Sequence, residues 1–277
     1  MRKSFRLGWC SIARWGVGYL GSKSGIADYI VALLPPATRL YDLFGGGGAI
    51  THCAALSQKY GKVIYNDIGD IATLFRQAVS GIDKYIDTSE FITRQMFNDR
   101  KSDCPYIKYN WSFGNSGEGY MYGAELEQWK HCLHNAIFFF DVSGFKKYYG
   151  LELPVYEDIK NRRLRRLAYS AYIKEHNLES EQRLYELQSL EGLERIESLE
   201  RLQNIERLQR LDGLETLEIH NKSYDEFEIT EGIIYCDIPY KDTVCGSYGG
   251  FDHNAFYEWA EHQVVPVYIS EYAMPDD

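Results

Sequence analysis

Four consecutive glycines, Gly45 to Gly48, stand between a strand-like run, Arg39 to Phe44, and a helical pattern, Ala49 to Tyr60. No other feature narrows the possible folds as far. A strand that ends in glycines and opens into a helix is a nucleotide-binding turn, because glycine lets the backbone approach a ligand closely. Thr38 to Phe44 and Gly61 to Asp67 read as parallel strands joined by a helix at Ala49 to Lys59, which makes a βαβ unit. About twenty residues past the turn, Asp67 sits at the tip of the second strand, where a carboxylate takes the two hydroxyls of a ribose.

The flanking segments extend this pattern. Ile26 to Leu34 is apolar at helical spacing and stops at Pro35 and Pro36, as a helix does before proline. Ile71 to Tyr85 continues as an amphipathic helix, and Glu215 to Ile219, Gly232 to Cys236 and Val264 to Ser270 read as further strands. Residues 91–180 change character. There the loop from Tyr109 to Tyr120 is dense in rings and amides, among them Asn110, Trp111, Phe113 and Asn115. Such a loop can stack on nucleic-acid bases and bond their edges; Trp111, Phe113 and Tyr120 can equally pack a small subdomain.

From Leu184 to Leu217 an aliphatic residue falls at every third position. A period of 3.0 matches neither a strand nor a straight α-helix, in which the stripe would slip by about 60° per step. Two readings stay open: a small leucine-rich coil, or one or two helices broken near Gly192 and Gly213. Either way the repeat reads as an inserted spacer or a surface for a protein partner, since none of its residues offers chemistry.

The formal charge of −10 looks wrong for a DNA binder, but it is unevenly spread: residues 178–219 carry a net of −6, and Lys160, Arg162, Arg163, Arg165 and Arg166 fall within seven residues. A local basic element of this kind suits phosphate contact, though it also suits a solvated helix face. Six scattered cysteines without metal-ligand spacing indicate neither a zinc site nor disulfides. With no apolar run near the roughly 20 residues of a membrane span, the chain reads as a cytoplasmic protein with reduced thiols and no bound metal.

Four motifs in order resemble those of one family. Gly18-Tyr19-Leu20-Gly21-Ser22-Lys23, then Phe44, Gly46 and Gly48 in a Phe-x-Gly-x-Gly turn, then Asn66-Asp67, then Asp237-Ile238-Pro239-Tyr240 are similar to the motifs of the Dam-like D12 class of DNA adenine-N6 methyltransferases, of phage or restriction-modification type. The resemblance covers most of the chain. It implies an α/β fold: a Rossmann-like S-adenosylmethionine-dependent sheet, with an inserted target-recognition subdomain and the leucine-rich repeat as a further insertion. The expected divisions are 1–90 and 217–277 for the two halves of the core, 91–180 for target recognition and 181–216 for the repeat.

The resemblance also implies roles. Tyr19, Lys23, Asp42, Phe44, Gly46, Gly48, Asp67 and Asp237 would bind S-adenosyl-L-methionine; Lys23 taken alone reads as a surface lysine. Asn110, Trp111, Asn115, Arg162, Arg163, Arg165 and Arg166 would meet double-stranded DNA. Asp237, Ile238, Pro239 and Tyr240 would be catalytic. An exocyclic adenine amine is a poor nucleophile because its lone pair is delocalised. The Asp237 carboxylate and the Ile238 carbonyl would draw its hydrogens out of the ring plane while Tyr240 stacks on the extruded base. The family has proline where this chain has Ile238, so the carbonyl is kept and the fixed φ is lost. Two other readings fit the same residues: an amino-methyltransferase acting on cytosine N4, RNA or protein, and a degenerate fold that binds DNA or a partner protein.

Overall fold

The computed structural model describes residues 15–176, 197–240 and 250–271. The chain divides into two compact units, one of residues 1–86 with 203–277 and one of residues 87–202. In chain order the elements are α1 (Ala27–Leu33), β1 (Ala37–Asp42), α2 (Ala49–Leu56), β2 (Tyr60–Asn66), α3 (Ile71–Ser80), α4 (Arg94–Arg100), α5 (Pro105–Asn110), α6 (Ala124–Phe139), α7 (Ser143–Tyr149), α8 (Arg162–Glu175), α9 (Glu197–Arg207), β3 (Leu217–His220), β4 (Ile233–Cys236), α10 (His253–Glu261) and β5 (Val267–Ile269).

The first unit is an α/β layer structure on five parallel strands in the order β3-β2-β1-β4-β5. Helices cover both faces, which is why the strands are apolar at successive positions. Leu40, Val63, Ile233 and Tyr235 face α1 and α2, meeting Ala27, Val31, Ala49 and Ile50. The alternate residues Tyr41, Ile64, Ile234 and Cys236 share the opposite core with Phe256 of α10. Helix α1 stops where Leu34 turns extended before Pro35. The ammonium of Lys59 then donates to the freed carbonyls of Val31, Ala32 and Leu34, a cation at the negative end of a helix. The helix expected to reach Tyr85 ends at Ser80 instead, because Gly81 takes φ +100° and closes it.

Positions 184–196 of the leucine repeat lie outside the described residues; from Glu197 to Leu211 it is helical, and its last two leucines leave the helix, Leu214 in a turn and Leu217 at the start of β3. Leu199, Leu202 and Ile205 are buried on α9, and Leu208 and Leu211 on the 3-10 turn Leu208–Leu211 that follows. Residues three apart precess round an α-helix but line up in a 3-10 turn. The turn therefore presents Leu208 and Leu211 together, and it rests on α3 and α2.

The second unit packs α4 to α8 around rings. Trp111 lies edge-on to Phe91 at 5.2 Å, and Trp129 meets Phe145 at 5.0 Å and Tyr149 at 5.1 Å. Among the described residues no helix is long and apolar enough to cross a membrane, and no three His, Cys, Asp or Glu side chains converge as metal ligands.

Candidate active site

From β1 the chain winds through β2 to β3 on one side of the sheet, while β4 and β5 lie on the other. At such a switch point the connections leave in opposite directions and open a crevice beyond the strand ends. A cleft of about 700 Å³ lies there, walled by Tyr19, Lys23, Asp42, Phe44, Gly46, Asp67 and the run Asp237 to Tyr240. All of the expected donor-binding residues except Gly48 line it, and so do all four of the Asp237 motif.

The glycine turn is held by the chain's own groups. Gly45 N–H donates to the Asn66 carbonyl at 2.8 Å and Gly48 N–H to the Gly45 carbonyl at 2.7 Å. Gly46 N–H donates to the Asp67 carboxylate at 2.9 Å, and the Tyr65 hydroxyl to the Gly46 carbonyl at 2.7 Å. Gly48 needs its glycine twice over: φ is +72°, and a Cβ would lie 2.1 Å from the Phe75 ring, itself stacked on Tyr65. At Gly47 a Cβ would stand 2.4 Å from the Val17 carbonyl oxygen. Close approach at these two positions is therefore to the protein itself.

Three carboxylates and one ammonium define the electrostatics. Asp42, at the end of β1, is fully buried; one oxygen accepts from the Thr51 hydroxyl at 2.7 Å and the Thr51 N–H at 3.1 Å. Its other oxygen, Oδ1, has no partner among the described residues. Burial pushes this carboxyl up to about 7 against the pull of Thr51, with Asp237 and Asp67 adding to the rise. Burial also raises Asp67, whose oxygens accept from Gly46 and from Gly69 N–H at 2.7 Å. Asp237 is raised by burial as well, opposed by Lys23 and Tyr240.

Lys23 is no surface lysine. Its side chain is 13% exposed, and Nζ lies 2.6 Å from Asp237 Oδ2 and 4.9 Å from the Tyr240 ring centroid. Burial draws the ammonium down, but the charge and hydrogen bond of Asp237, with Tyr240, outweigh it and the pKa is raised. The Tyr240 hydroxyl donates to Asp237 Oδ1 at 3.2 Å. Ile238, where the family has proline, is 2% exposed and belongs to the core that holds Phe256.

Two contributors carry no motif. Thr51 holds Asp42, and Tyr235 lines the cleft. Asn66 donates to the Leu43 and Lys222 carbonyls at 3.0 Å each and accepts from Lys222 N–H, so it ties three strand ends together rather than facing the cleft. A second hollow of about 420 Å³ shares Phe44 and Asp67 with the first and is otherwise lined mainly by Leu43, Ile68, Tyr224 and Phe251. The alternation of strand residues gives no hint of it, because its walls come from the loops after β1, β2 and β3 and from the segment before α10.

The candidate DNA contacts divide. Asn110 and Trp111 are buried, at 2% and 1% exposure, while Phe113 is 74% exposed; Asn115 donates to the Tyr109 carbonyl at 3.0 Å. Arg162 and Arg163 are exposed. Arg165 is buried, donates to the carbonyls of Ile159 and Lys160 at 3.1 Å and lies 3.7 Å from the Phe140 ring centroid. Arg166 pairs with Glu200 at 2.9 Å. Two of the four arginines are thus committed to the protein's own packing.

No curated protein matches the chain. A family model, D12 class N6 adenine-specific DNA methyltransferase, matches residues 19–272. The match begins at Tyr19, at the cleft, and takes in every residue of its wall, from the glycine turn to Tyr240. The chain belongs to the D12 class of N6 adenine-specific DNA methyltransferases, enzymes that methylate adenine in DNA.

Proposed function

We propose that the chain transfers a methyl group from S-adenosylmethionine to the N6 amine of an adenine extruded from a DNA duplex. One observation carries the donor assignment: the cleft gathers Asp42, Asp67 and Asp237 against a single ammonium, Lys23, a surplus of negative charge that suits a cationic ligand. The orphaned Oδ1 of Asp42 asks for a donor, and the ammonium of an amino acid supplies one. Asp67 keeps lone pairs beyond those used by Gly46 and Gly69, enough to accept from ribose hydroxyls. Phe44 and Asp67 line both hollows, so a nucleoside whose ribose meets Asp67 has the apolar hollow of Leu43, Ile68, Tyr224 and Phe251 for its base.

When bound, the donor supplies an electrophilic methyl group. The chain's own residues prepare the acceptor. The Asp237 carboxylate and the Ile238 carbonyl accept the two amino hydrogens, which localises the nitrogen lone pair, and the Tyr240 ring receives the base face. The Lys23 ammonium now stands on Asp237 over Tyr240, and the incoming amine takes its place. Target recognition falls to the second unit, with Phe113 and Asn115 toward bases and Arg162 and Arg163 toward phosphates. The test is methyl incorporation from labelled donor into unmethylated genomic DNA, with the product base identified as N6-methyladenine. Donor binding without incorporation would sink the reading.

A further inference from the structure

One titratable side chain beside the catalytic run is used by none of the steps above. His253, the first residue of α10, places Nε2 2.8 Å from the carbonyl oxygen of Pro239. A carbonyl only accepts, so the ring donates from Nε2–H, as both the matching neutral tautomer and the imidazolium can. The donor is itself well held. Asp252 caps α10 through Ala255 N–H at 3.0 Å, Phe251 stands edge-on to the imidazole at 4.9 Å, and Phe256 anchors the helix in the core that also holds the Ile238 side chain.

Consider which torsions fix the run from Ile238 to Tyr240. Pro239 confines the ψ of the residue before it to extended values and fixes its own φ through its ring. Burial of the Ile238 side chain restrains φ at 238. The ψ of Pro239 remains, and a hydrogen bond on the Pro239 carbonyl sets it. We propose that His253 is a positioning residue for methyl transfer: its bond to Pro239 immobilises the Asp237 to Tyr240 run and replaces the stiffness that proline at 238 would give. This rests on the reading of Asp237 and Ile238 as acceptors of the amine.

The experiment is a double-mutant cycle between His253→Ala and Ile238→Pro, read as kcat and KM for methyl incorporation into genomic DNA, with calorimetric donor affinity as the check on folding. Loss of the clamp should lower kcat roughly tenfold, a modest misplacement of reacting groups, with donor affinity and KM almost unchanged. His253→Gln, which keeps a donor, should recover most of the loss. In the Ile238→Pro background the same His253→Ala change should cost about threefold or less, because the ring supplies part of the missing restraint. Equal losses in both backgrounds, or an unchanged kcat in His253→Ala, would overturn the proposal while leaving the acceptor assignment standing. A parent chain that binds donor and DNA but never turns over would sink both.

Discussion

Both units bury charged or titratable side chains, but to opposite ends. In the first, Asp42, Asp67 and Asp237 stand at the ends of three neighbouring strands and face one cleft, and a lone pair of Asp42 is left open. In the second, His134 and Arg165 are as deeply buried and each likewise keeps one nitrogen, Nδ1 and Nη1, without a partner among the described residues, but their other contacts are to the unit's own chain: His134 meets the Ser89 carbonyl at 2.8 Å and stacks on Phe138, and Arg165 ties the start of α8 to the loop before it. Burial of charge alone does not mark a site. An unpartnered polar atom alone does not either; convergence of several such groups on one open cleft does.

The strongest challenge to this contrast is Asp237→Ala. It removes an acceptor whose bond must strengthen as the amine reacts, so turnover should fall roughly 10³-fold, about 4 kcal/mol of barrier, while donor affinity changes far less. Methyl incorporation beside calorimetry measures both, and near-parental turnover would show the acceptor misplaced. In the second unit, Trp111→Ala should cost about 3 kcal/mol of stability through a cavity in the ring cluster, with donor affinity unmoved. Denaturant unfolding with a donor titration decides it, and a fall in donor affinity would blur the division of labour.

Acid separates the units next. Burial lowers His52 in the first unit and His134 in the second to about 4. The unfolded chain takes up these protons and the fold resists them. The stability each contributes is intact above about 6.5 and is lost as pH falls toward 4, at about 1.4 kcal/mol per pH unit. Asp42, raised to about 7, works the other way: the fold holds its proton, so stability is gained as pH falls below 7. The gain offsets His52 in the first unit. In the second unit His131, lowered by burial, adds to the loss. Hydrogen exchange between pH 7 and 4 should therefore show the second unit opening first; simultaneous opening would contradict it. The smallest effect belongs to Arg162 and Arg163. Replacing both with alanine should weaken all duplexes alike by about tenfold and lower the salt slope by about 2, as for two lost phosphate contacts. Unchanged binding would return the run to a solvated helix face.

The core strands and the order of motifs were readable because they depend on local signals: apolar runs ending in glycine or proline, and acids at strand tips. The partners of single side chains were not. Arg201 donates to the carbonyls of Asn110 at 2.9 Å and Ser112 at 2.7 Å, about ninety positions away in sequence, and so anchors the loop proposed to face bases. No periodicity announces such a bond. The period-3 leucines declared a buried stripe but not its conformation, since a precessing α-helix followed by a 3-10 turn satisfies the same spacing. His253 was silent for the same reason as Arg201: its meaning lies in the backbone it touches.

The glycine turn has a consequence for how this sequence would decay. Gly47 and Gly48 are required by Val17 and Phe75 whether or not a ligand is bound. A descendant released from binding a donor would still need both to fold. Selection for the fold alone would preserve the glycine signature while Asp42, whose ionised form burial disfavours, drifted to an apolar residue. In this lineage the acids of the cleft, and not the glycines, are the record of whether the enzyme still works.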